Sequence, residues 1–491
     1  MEVTTSMLFK LFLSLPLLAG LASAALAQSS DPLKTASQKA IATNPEVGAR
    51  TSALRAPADG VDVARGAYLP RVDVDAEVGS TRDLITTRAP QDDTLSRNGV
   101  ALRLNQTIWD GLATFNDVKR AGHDKLTRSF ELQDTIEQTA LEAVRATYDV
   151  IRFRRLVELA EESYVQHKYV HSQIQSRYRA GVGRGVDLEQ AGARLALAES
   201  NLVTETSNLH DVMVRYQRIV GEAAPASLKL PAPLSQRTPP SADEAMNLAI
   251  TRNPAISASI ENLRAVRAVY AAREAAFQPR VDARVRSGSG RNFDDVPDQK
   301  RETSAALVLN WNLFNGGADQ ARVRQQANVI GQAAELRDKS CRDTRQTAVI
   351  AFNDTRKLRE QLIYLDRNSL AIEKARDAYR QQFEIGQRSL LDLLNSENEL
   401  YTAKRAYANA EVDLGIAYAR THAAMQALVT RLGLSPTDTG VALPELAAWS
   451  AGEDAPSRCP AEIQTVQATD RAELDARASR LLQSTPAAPR R

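Results

Sequence analysis

Residues 70–78 read PRVDVDAEV, and the tetrapeptide PRVD returns 209 residues later, at residues 279–282. Further matches flank this motif: Asn44-Pro45 with Asn253-Pro254, Leu104-Asn105 with Leu309-Asn310, Gly181 with Gly386, and Asp187-Leu188 with Asp392-Leu393. The first pair is again 209 residues apart and the others are 205 apart, so the two halves are copies that differ by a four-residue deletion. A repeat of about 200 residues is too long for a solenoid, which predicts a duplicated, domain-sized unit.

The PRVD motif opens a stretch in which apolar and acidic residues alternate. Val72 and Val74 fall on one face of a predicted strand over about residues 71–80, and Asp73 and Asp75 fall on the other. The alternation recurs at about residues 98–109, 280–287 and 303–313. Each stretch approaches the roughly 9–11 residues that a tilted membrane-crossing strand requires. Taken alone, the same pattern also fits two soluble β-hairpins.

Large aromatic residues favour the membrane interpretation, because they gather where the predicted strands meet helices. The five positions are Tyr68, Trp109, Phe277, Trp311 and Phe314. Such a grouping is typical of an aromatic belt at one membrane interface. Four strands cannot close a barrel, so the protomers must associate to cover their strand edges. Two copies would give eight strands and three would give twelve, and this arithmetic does not choose between them.

Long helices follow the strands in each copy. The stretch from Leu112 to Ala180 lacks proline, and as a helix it would be roughly 100 Å long. Leucines recur every seven residues in the predicted return helices, as they do along a coiled-coil seam. The first return helix shows this at Leu188, Leu195, Leu202, Leu209 and Tyr216, and the second at Leu393, Leu400, Tyr407 and Leu414. Tips that begin with glycine, at residues 181–187 and 386–392, separate the outgoing helices from the returning helices. The heptad pattern alone does not show whether one helical hairpin packs by itself or many hairpins pack side by side around a tunnel.

Composition and targeting signals narrow the class of protein. Lys plus Arg total 62 and Asp plus Glu total 60, so the chain has no charge excess that would attract nucleic acid. Residues 1–27 have the pattern of a cleaved signal peptide, and no later stretch is apolar enough for a transmembrane helix. We therefore predict an exported protein with a first repeat at 28–222, a linker at 223–240, a second repeat at 241–433, and a C-terminal equatorial segment and flexible tail at 434–491.

The order of these features resembles the TolC-like outer membrane efflux protein family over about residues 31–433. The resemblance implies a mixed α and β fold: a homotrimer with a twelve-stranded barrel in outer membrane lipid, continued by a helical tunnel in the periplasm of a Gram-negative bacterium. It also implies a passive duct without a cofactor, which works with a periplasmic adaptor and an inner-membrane transporter. The segment from Gly181 to Val203 most resembles members that serve type I secretion with an ABC transporter, including adhesin export. Multidrug efflux with a proton-driven pump is the alternative.

The same resemblance assigns roles at the tips. Asp392 corresponds to a lumen-facing acidic ring that closes the periplasmic mouth, and Asp187 and Arg388 correspond to an inter-helix ion pair. The family's second acidic position is Asn395 in this chain. The residues that correspond to adaptor-docking tips are Gly181, Val182, Gly183, Gly386 and Gln387. An alternative interpretation is that Asp187 and Asp392 only cap their helices.

The sequence contains little that indicates catalysis or metal binding. His167 and His171 have the i, i+4 spacing of some zinc ligands but lack the glutamate of a zinc hydrolase motif, so a solvated helix face is the preferred interpretation. No nucleophile elbow, phosphate loop or dinucleotide fingerprint is present. We expect no catalytic residue and no metal site. A structural periplasmic coiled-coil stalk would also lack these motifs, but it would not need membrane-length strand pairs.

The chain has two cysteines, Cys341 and Cys459. An exported protein meets an oxidising compartment, so an even count favours a disulfide. If the last long helix runs from Leu390 to Leu432, the chain leaves it at nearly the height of Cys341 along the tunnel. The proline-containing segment that follows is expected to be non-helical and to wrap the tunnel as a belt that reaches Cys459. The alternative is a packed Cys341 and a free thiol on a disordered tail.

Overall fold

The structure is a computed structural model that describes residues 31–84, 86, 87, 89, 91–296, 298–434, 449–459, 462, 466 and 469–484. The predicted signal peptide lies outside the described residues. The helices are α1 (Pro32–Thr43), α2 (Pro45–Gly66), α3 (Ala113–Arg179), α4 (Gly185–Val220), α5 (Ala242–Arg252), α6 (Pro254–Glu274), α7 (Ala318–Glu384), α8 (Leu390–Ala424), α9 (Leu428–Arg431) and α10 (Arg471–Ser484). The strands are β1 (Arg71–Leu84), β2 (Asp92–Trp109), β3 (Arg280–Arg291) and β4 (Gln299–Asn310).

The first helical segment consists of two helices, α1 and α2, separated by a break at Asn44. The Asn44 side chain accepts a hydrogen bond from the backbone N–H of Glu46 at 2.9 Å and caps α2, whose first residue is Pro45. Proline disfavours a helical conformation of the residue before it, so α1 must end there. Asn253 separates α5 from α6 in the second repeat in the same way.

The four strands form one antiparallel sheet in the order β1-β2-β3-β4. The strands extend further toward the hairpin turns than predicted, because polar residues such as Arg82 and Asp92 continue the β1–β2 ladder. The prediction that the last strand runs to residue 313 was wrong, since β4 ends at Asn310. Val74 lies opposite Leu102 on the apolar face, whereas Arg103 lies between Asp73 and Arg286 on the polar face. Within one protomer, β1 and β4 each have an unpaired edge.

Each repeat contributes one long helical hairpin. α3 and α7 contain 67 residues each, which corresponds to about 100 Å. α3 packs along α4, α7 packs along α8, and α3 also packs on α8, which joins the repeats side by side. Small side chains of the predicted seam are buried in these contacts: Ala191, Ala198, Ala403, Ala410 and Ala417. Among the described residues, no helix is both long enough and apolar enough to cross a membrane.

The main core lies at the level where α1, α2 and α9 pack on α3 and α8. Leu33, Val144, Tyr148 and Leu428 are almost fully buried there. The Tyr148 ring lies directly over Gly415, where an added Cβ would come within 2.6 Å of the ring. This core holds the two repeats together near the middle of the long axis of the helices.

One expectation about the C-terminal part was wrong. α8 does not continue to Leu432: it ends at Ala424, and the short α9 follows a turn at Gln426, whose φ is +54°. Beyond Cys459, residues 471–484 form α10. Arg471 attaches α10 to α7 through a 2.8 Å ion pair with Glu360 and a position 4.6 Å above the Tyr364 ring.

Candidate functional site

The two hairpin tips end their long helices in the same way. Gly181 has a φ of +76°, and the N–H groups of Val182 and Gly183 both donate to the carbonyl oxygen of Arg177. Gly386 has a φ of +78°, and the N–H of Gln387 donates to the Gln382 carbonyl oxygen at 2.8 Å. Glycine accepts this left-handed conformation at little cost, so each repeat makes a sharp turn without strain.

The tips are packed against each other within the protomer. A buried apolar cluster contains Val170 and Ile174 of α3, Phe383 of α7, and Leu393 and Leu394 of α8, together with Leu390 and Ala191. The guanidinium of Arg177 lies 5.2 Å from the centre of the Phe383 ring, which adds a cation–π contact between the ends of α3 and α7. The two tips therefore form one structural unit.

Apolar side chains remain exposed at the end of this unit. Val182, Val186, Ile385 and Leu391 are all exposed, and Val182 keeps 79% of its surface accessible. The five residues assigned to adaptor docking lie in the same two turns; Gly183 is half-buried and the other four are exposed. The end of the hairpins thus presents apolar side chains next to exposed charged ones such as Arg184 and Glu384.

Of the three predicted gate residues, Arg388 and Asp392 contact each other, and Asp187 contacts neither of them through an ion pair. Arg388 forms an ion pair with Asp392 at 3.7 Å, donates to Gln382 at 3.0 Å and lies 4.7 Å above the Tyr379 ring. Asp187 lies in the first turn of α4 and has no ion-pair partner among the described residues, so the predicted pair with Arg388 is not formed within a protomer. Arg388 is therefore fixed by its own hairpin.

Asp392 also takes part in the start of α8. Ser389 caps this helix: its hydroxyl oxygen accepts the Asp392 N–H at 3.2 Å, and its O–H lies 2.9 Å from an Asp392 carboxylate oxygen. This is a capping interaction of the kind expected three residues after a serine cap. Asp392 therefore takes part in the N-terminal cap of α8 and also forms the ion pair with Arg388.

Polar contacts just above the tips were missed by the sequence. The Arg194 guanidinium on α4 donates to the Asn395 side-chain oxygen on α8 at 2.8 Å. Glu397 is almost buried and receives Arg380 of α7 at 2.6 Å and Arg376 at 3.3 Å. These residues cross-link neighbouring helices below the level of the core. Arg194 and Asn395 are 201 residues apart, so no local signal could have identified their contact, whereas Arg380 and Glu397 are 17 residues apart on the two sides of one tip.

The five aromatic residues assigned to a belt lie at the helical end of the sheet. Trp109 is the last residue of β2, and Trp311 directly follows β4. The Trp311 indole N–H donates to the carbonyl oxygen of Phe277 at 3.2 Å. All five side chains, including Tyr68 and Phe314, are at least 44% exposed in the isolated protomer.

Residues 449–459 form what we call the strap, which packs against α6 and α7. The structure joins Cys341 of α7 to Cys459 in a disulfide, at one end of the strap. At its other end, Trp449 packs edge-on against Phe130 of α3, with ring centres 5.0 Å apart. The strap thus contacts helices of both repeats.

A buried glutamate fixes the strap to α6. Glu261 is fully buried and accepts hydrogen bonds from Trp449 Nε1 at 2.8 Å and from Arg264 at 2.6 Å, with His123 Nδ1 of α3 at 2.6 Å. Burial alone would raise the pKa of Glu261, but the hydrogen bonds from His123, Trp449 and Arg264 hold it below its ordinary value. Arg264 also donates to Asp454 of the strap at 2.8 Å.

The expectation that His167 lies on a solvated helix face was wrong. His167 is buried, and its Nδ1 is within 2.8 Å of the Ser163 carbonyl oxygen one turn earlier on α3. In the described part of the chain, no group of three or more His, Cys, Asp or Glu side chains is arranged to hold a metal ion.

Comparison with known proteins supports the architecture. The sequence profile described as outer membrane efflux protein matches residues 36–222 and 245–425. Over 423 residues the chain is 25% identical to the outer membrane efflux protein BepC of Brucella suis, an alignment that spans 85% of this chain and 90% of BepC. Over 334 residues it is 24% identical to the alkaline protease secretion protein AprF of Pseudomonas aeruginosa, spanning 65% and 67% of the two chains. The CmeC outer membrane channel of Campylobacter jejuni has the same fold, with a TM-score of 0.74, 13% identity, and coverage of 82% of this chain and 86% of CmeC.

Proposed function

The chain belongs to the outer membrane efflux protein family, and from this premise we propose that it is the exit duct of a type I protein secretion machine. Members of this family are outer membrane channel proteins rather than enzymes, and their helical tunnels lie in the periplasm. The proposal extends this in three respects: the number of protomers, the gate and partners at the tips, and the exported material.

The observation that carries a channel function is the four-stranded sheet with two unpaired edges. Edge strands left open in the membrane would expose unpaired backbone N–H and C=O groups, each costing several kcal/mol. The apolar face containing Val74 and Leu102 suits lipid, and the face containing Asp73 and Arg103 suits water. Three protomers joined through β1 and β4 would give a twelve-stranded barrel with no free edge. Chemical cross-linking followed by mass measurement of the purified protein should therefore give a trimer.

We propose that the hairpin tips close the periplasmic mouth and receive a periplasmic adaptor. The apolar side chains at Val182, Val186, Ile385 and Leu391 provide a surface that another helical tip would cover. Arg388 and Asp392 are held in place by their own hairpin, which suits residues that must present charge near a symmetry axis. Asp187, which has no ion-pair partner among the described residues of its own protomer, is then available to a neighbouring protomer.

The gate is tested by single-channel recording in planar bilayers. Arg388→Ser removes the contacts with Asp392 and Tyr379, so we expect a higher conductance than that of the wild type. Asp392→Ala should weaken block by divalent cations, because three symmetry-related carboxylates would be lost. Arg356→Ser, an exposed position on α7 far from the tip, is the matched control. Unchanged conductance in Arg388→Ser together with unchanged block in Asp392→Ala would remove the gate assignment.

Protein secretion is favoured over drug efflux by the segment from Gly181 to Val203 and by the similarity to AprF, which is named for alkaline protease secretion. Multidrug efflux remains the second candidate because BepC, named as an efflux protein, aligns over more of the chain. Deletion of the gene distinguishes them. Loss of one or a few large proteins from the culture medium, with unchanged drug susceptibility, is the expected result; increased susceptibility with an unchanged set of secreted proteins would favour efflux. Re-expression of the intact chain must restore the lost property.

A further inference from the structure

The connection between β3 and β4 folds back onto the polar face of the sheet. Phe293 begins a short 3-10 turn in this connection, and its side chain is 97% buried, with a residual exposure of 3%. The ring occupies a recess above two glycines. A Cβ added to Gly288 would lie 2.7 Å from Phe293 Cε1, and one added to Gly99 would overlap the ring. Ala101, the neighbouring residue on this face, is the small buried side chain that completes the recess.

Charged residues hold the turn in this position. The guanidinium of Arg286 donates two hydrogen bonds to the Asp294 carboxylate, at 2.7 and 2.9 Å. The same guanidinium lies 5.2 Å from the centre of the Phe293 ring, and Lys300 is 3.6 Å from Asp294. A bidentate Arg–carboxylate pair fixes direction as well as distance, so the turn is held against the face of β3 and β4.

The backbone of the connection is also tied to β2. Asn292 donates from its side-chain nitrogen to the Ser96 carbonyl oxygen at 2.7 Å, and Arg97 Nε donates to the Asn292 carbonyl oxygen at 3.2 Å. Asn292 and Asp294 have φ values of +50° and +52°, which cost free energy for residues other than glycine. The fold-back therefore depends on tertiary contacts rather than on local preference.

These contacts place the turn on the side of the sheet that faces the channel lumen. Gly99 and Gly288 share the polar face with Arg103 and Arg286, opposite the apolar face. The turn lies at the hairpin end of the sheet, and the long helices lie at the other end, so in the outer membrane it is at the cell-surface side. We propose that three such turns, one from each protomer of the proposed trimer, form a constriction at the outer mouth, with the Phe293 ring as the latch that holds each turn inward.

Dimensions support a narrow opening at this level. Twelve strands spaced about 4.8 Å apart and tilted about 40° enclose a lumen of roughly 24 Å between backbones. A layer of chain on a sheet adds roughly 5–10 Å, so three inward turns reduce the opening to roughly 4–14 Å. Such a gap admits small solutes and extended chain but obstructs bulky solutes. The constriction is separate from the periplasmic tips, which lie at the far end of the long helices.

Thiol labelling from outside intact cells tests the latch directly. Asn105→Cys places a reporter on the same polar face, six residues and about 20 Å deeper than Gly99 along β2. Thr87→Cys places a second reporter in the exposed β1–β2 connection, outside the constriction. Each reporter is treated with a small maleimide and with a maleimide carrying a long polyethylene glycol chain, neither of which crosses the outer membrane. The parent chain without a reporter gives the background.

The expected result is that the bulky reagent labels the Asn105 position much more slowly than the small one, and labels the Thr87 position freely. Phe293→Ala and Gly99→Ala should each raise the rate of bulky labelling at the deep position severalfold, because the first removes the latch and the second fills its recess. Gly79→Ala is the matched control, since an added Cβ there meets no atom within 4 Å. Normal labelling at the Thr87 position shows that a variant is assembled in the membrane.

Two outcomes would overturn the inference. The first is rapid bulky labelling of the deep reporter in the parent chain, and the second is an unchanged rate in both Phe293→Ala and Gly99→Ala. The inference depends on the proposed trimeric channel, which the parent protein tests separately. If the purified parent opens no channels in planar bilayers and the deep reporter is closed to the small maleimide in every variant, the proposed function fails as well.

Discussion

The buried carboxyl of Glu137 should make the junction after α8 sensitive to pH. Glu137 lies on α3 with 2% of its surface exposed, and its carboxylate oxygens accept the backbone N–H groups of Leu428 and Val429 at 2.5 and 3.3 Å. Burial raises the pKa of Glu137 to about 7, although these two hydrogen bonds act in the opposite direction, and the nearby Asp134 carboxyl adds to the rise. The start of α9 therefore rests on a group that titrates near neutral pH.

The raised pKa determines whether stability increases or decreases with pH. The protonated carboxyl is favoured in the closed state, so its contribution to stability is complete below the solvent-exposed pKa of about 4.5 and is lost as the pH rises through about 7. A difference of about 2.5 pKa units corresponds to about 3 kcal/mol, or about 300-fold in the equilibrium constant for local opening. Opening here means release of α9 from α3, which returns Glu137 to solvent.

Hydrogen exchange of residues 425–434 measures this opening in the intact protein. After correction for intrinsic exchange, protection in the wild type should fall by about 80-fold between pH 4.5 and pH 7, and by about 300-fold between about pH 3 and about pH 9. Glu137→Gln is isosteric and cannot ionise, so its protection should lose most of this pH dependence, although one of the two N–H groups loses its acceptor. Glu142→Gln, at an exposed position of the same helix, is the control. Equal pH dependence in the wild type and Glu137→Gln would refute the reasoning.

Two further predictions concern the strap. Maleimide labelling of the denatured, unreduced protein should modify neither Cys341 nor Cys459, and two modified thiols per chain would contradict the disulfide. Trp449→Phe keeps a ring against Phe130 but removes the N–H donor to the buried Glu261 carboxylate, which should cost about 1–3 kcal/mol of strap stability. Faster hydrogen exchange of residues 449–459, with unchanged exchange in α4, is the expected readout; unchanged exchange in the strap would count against the role of this hydrogen bond.

Elements with a repeated local pattern could be predicted from the sequence. The alternation after Arg71 and the heptads along α4 and α8 gave the correct type and order of elements, because period 2 and period 3.5 reflect burial on one face. Asn44-Pro45 is a local signal for the break between α1 and α2, because an asparagine followed by proline ends one helix and caps the next. β1 and β3 were predicted to end too early and β2 and β4 to begin too late, since polar residues can continue a ladder that is stabilised by backbone hydrogen bonds.

The remaining features depend on partners that are far apart in the sequence. The end of α8 at Ala424 is associated with Glu137, almost 300 residues away, which accepts the N–H groups that begin α9. Arg388 lies near Asp392 of its own hairpin rather than Asp187, a choice between two acidic neighbours that spacing does not decide. Trp449 gave no local signal either, because its role requires Glu261 and Phe130 to lie together. Sequence patterns thus predict elements better than the polar contacts between them.

The four-residue deletion that separates the two repeats lies in the β-hairpin, whose strands differ in length between the repeats. The offset between the copies changes from 209 to 205 between Asp73 and Leu104, which is within the β-hairpin. In the first repeat this hairpin has strands of 14 and 18 residues, and in the second both strands have 12. The longer hairpin carries its connection beyond the level of Gly99, whereas the shorter one ends where Phe293 can reach the glycine recess of β2 and β3. Duplication therefore supplied two equivalent hairpins for the barrel wall, and the deletion made one of them short enough to turn into the lumen.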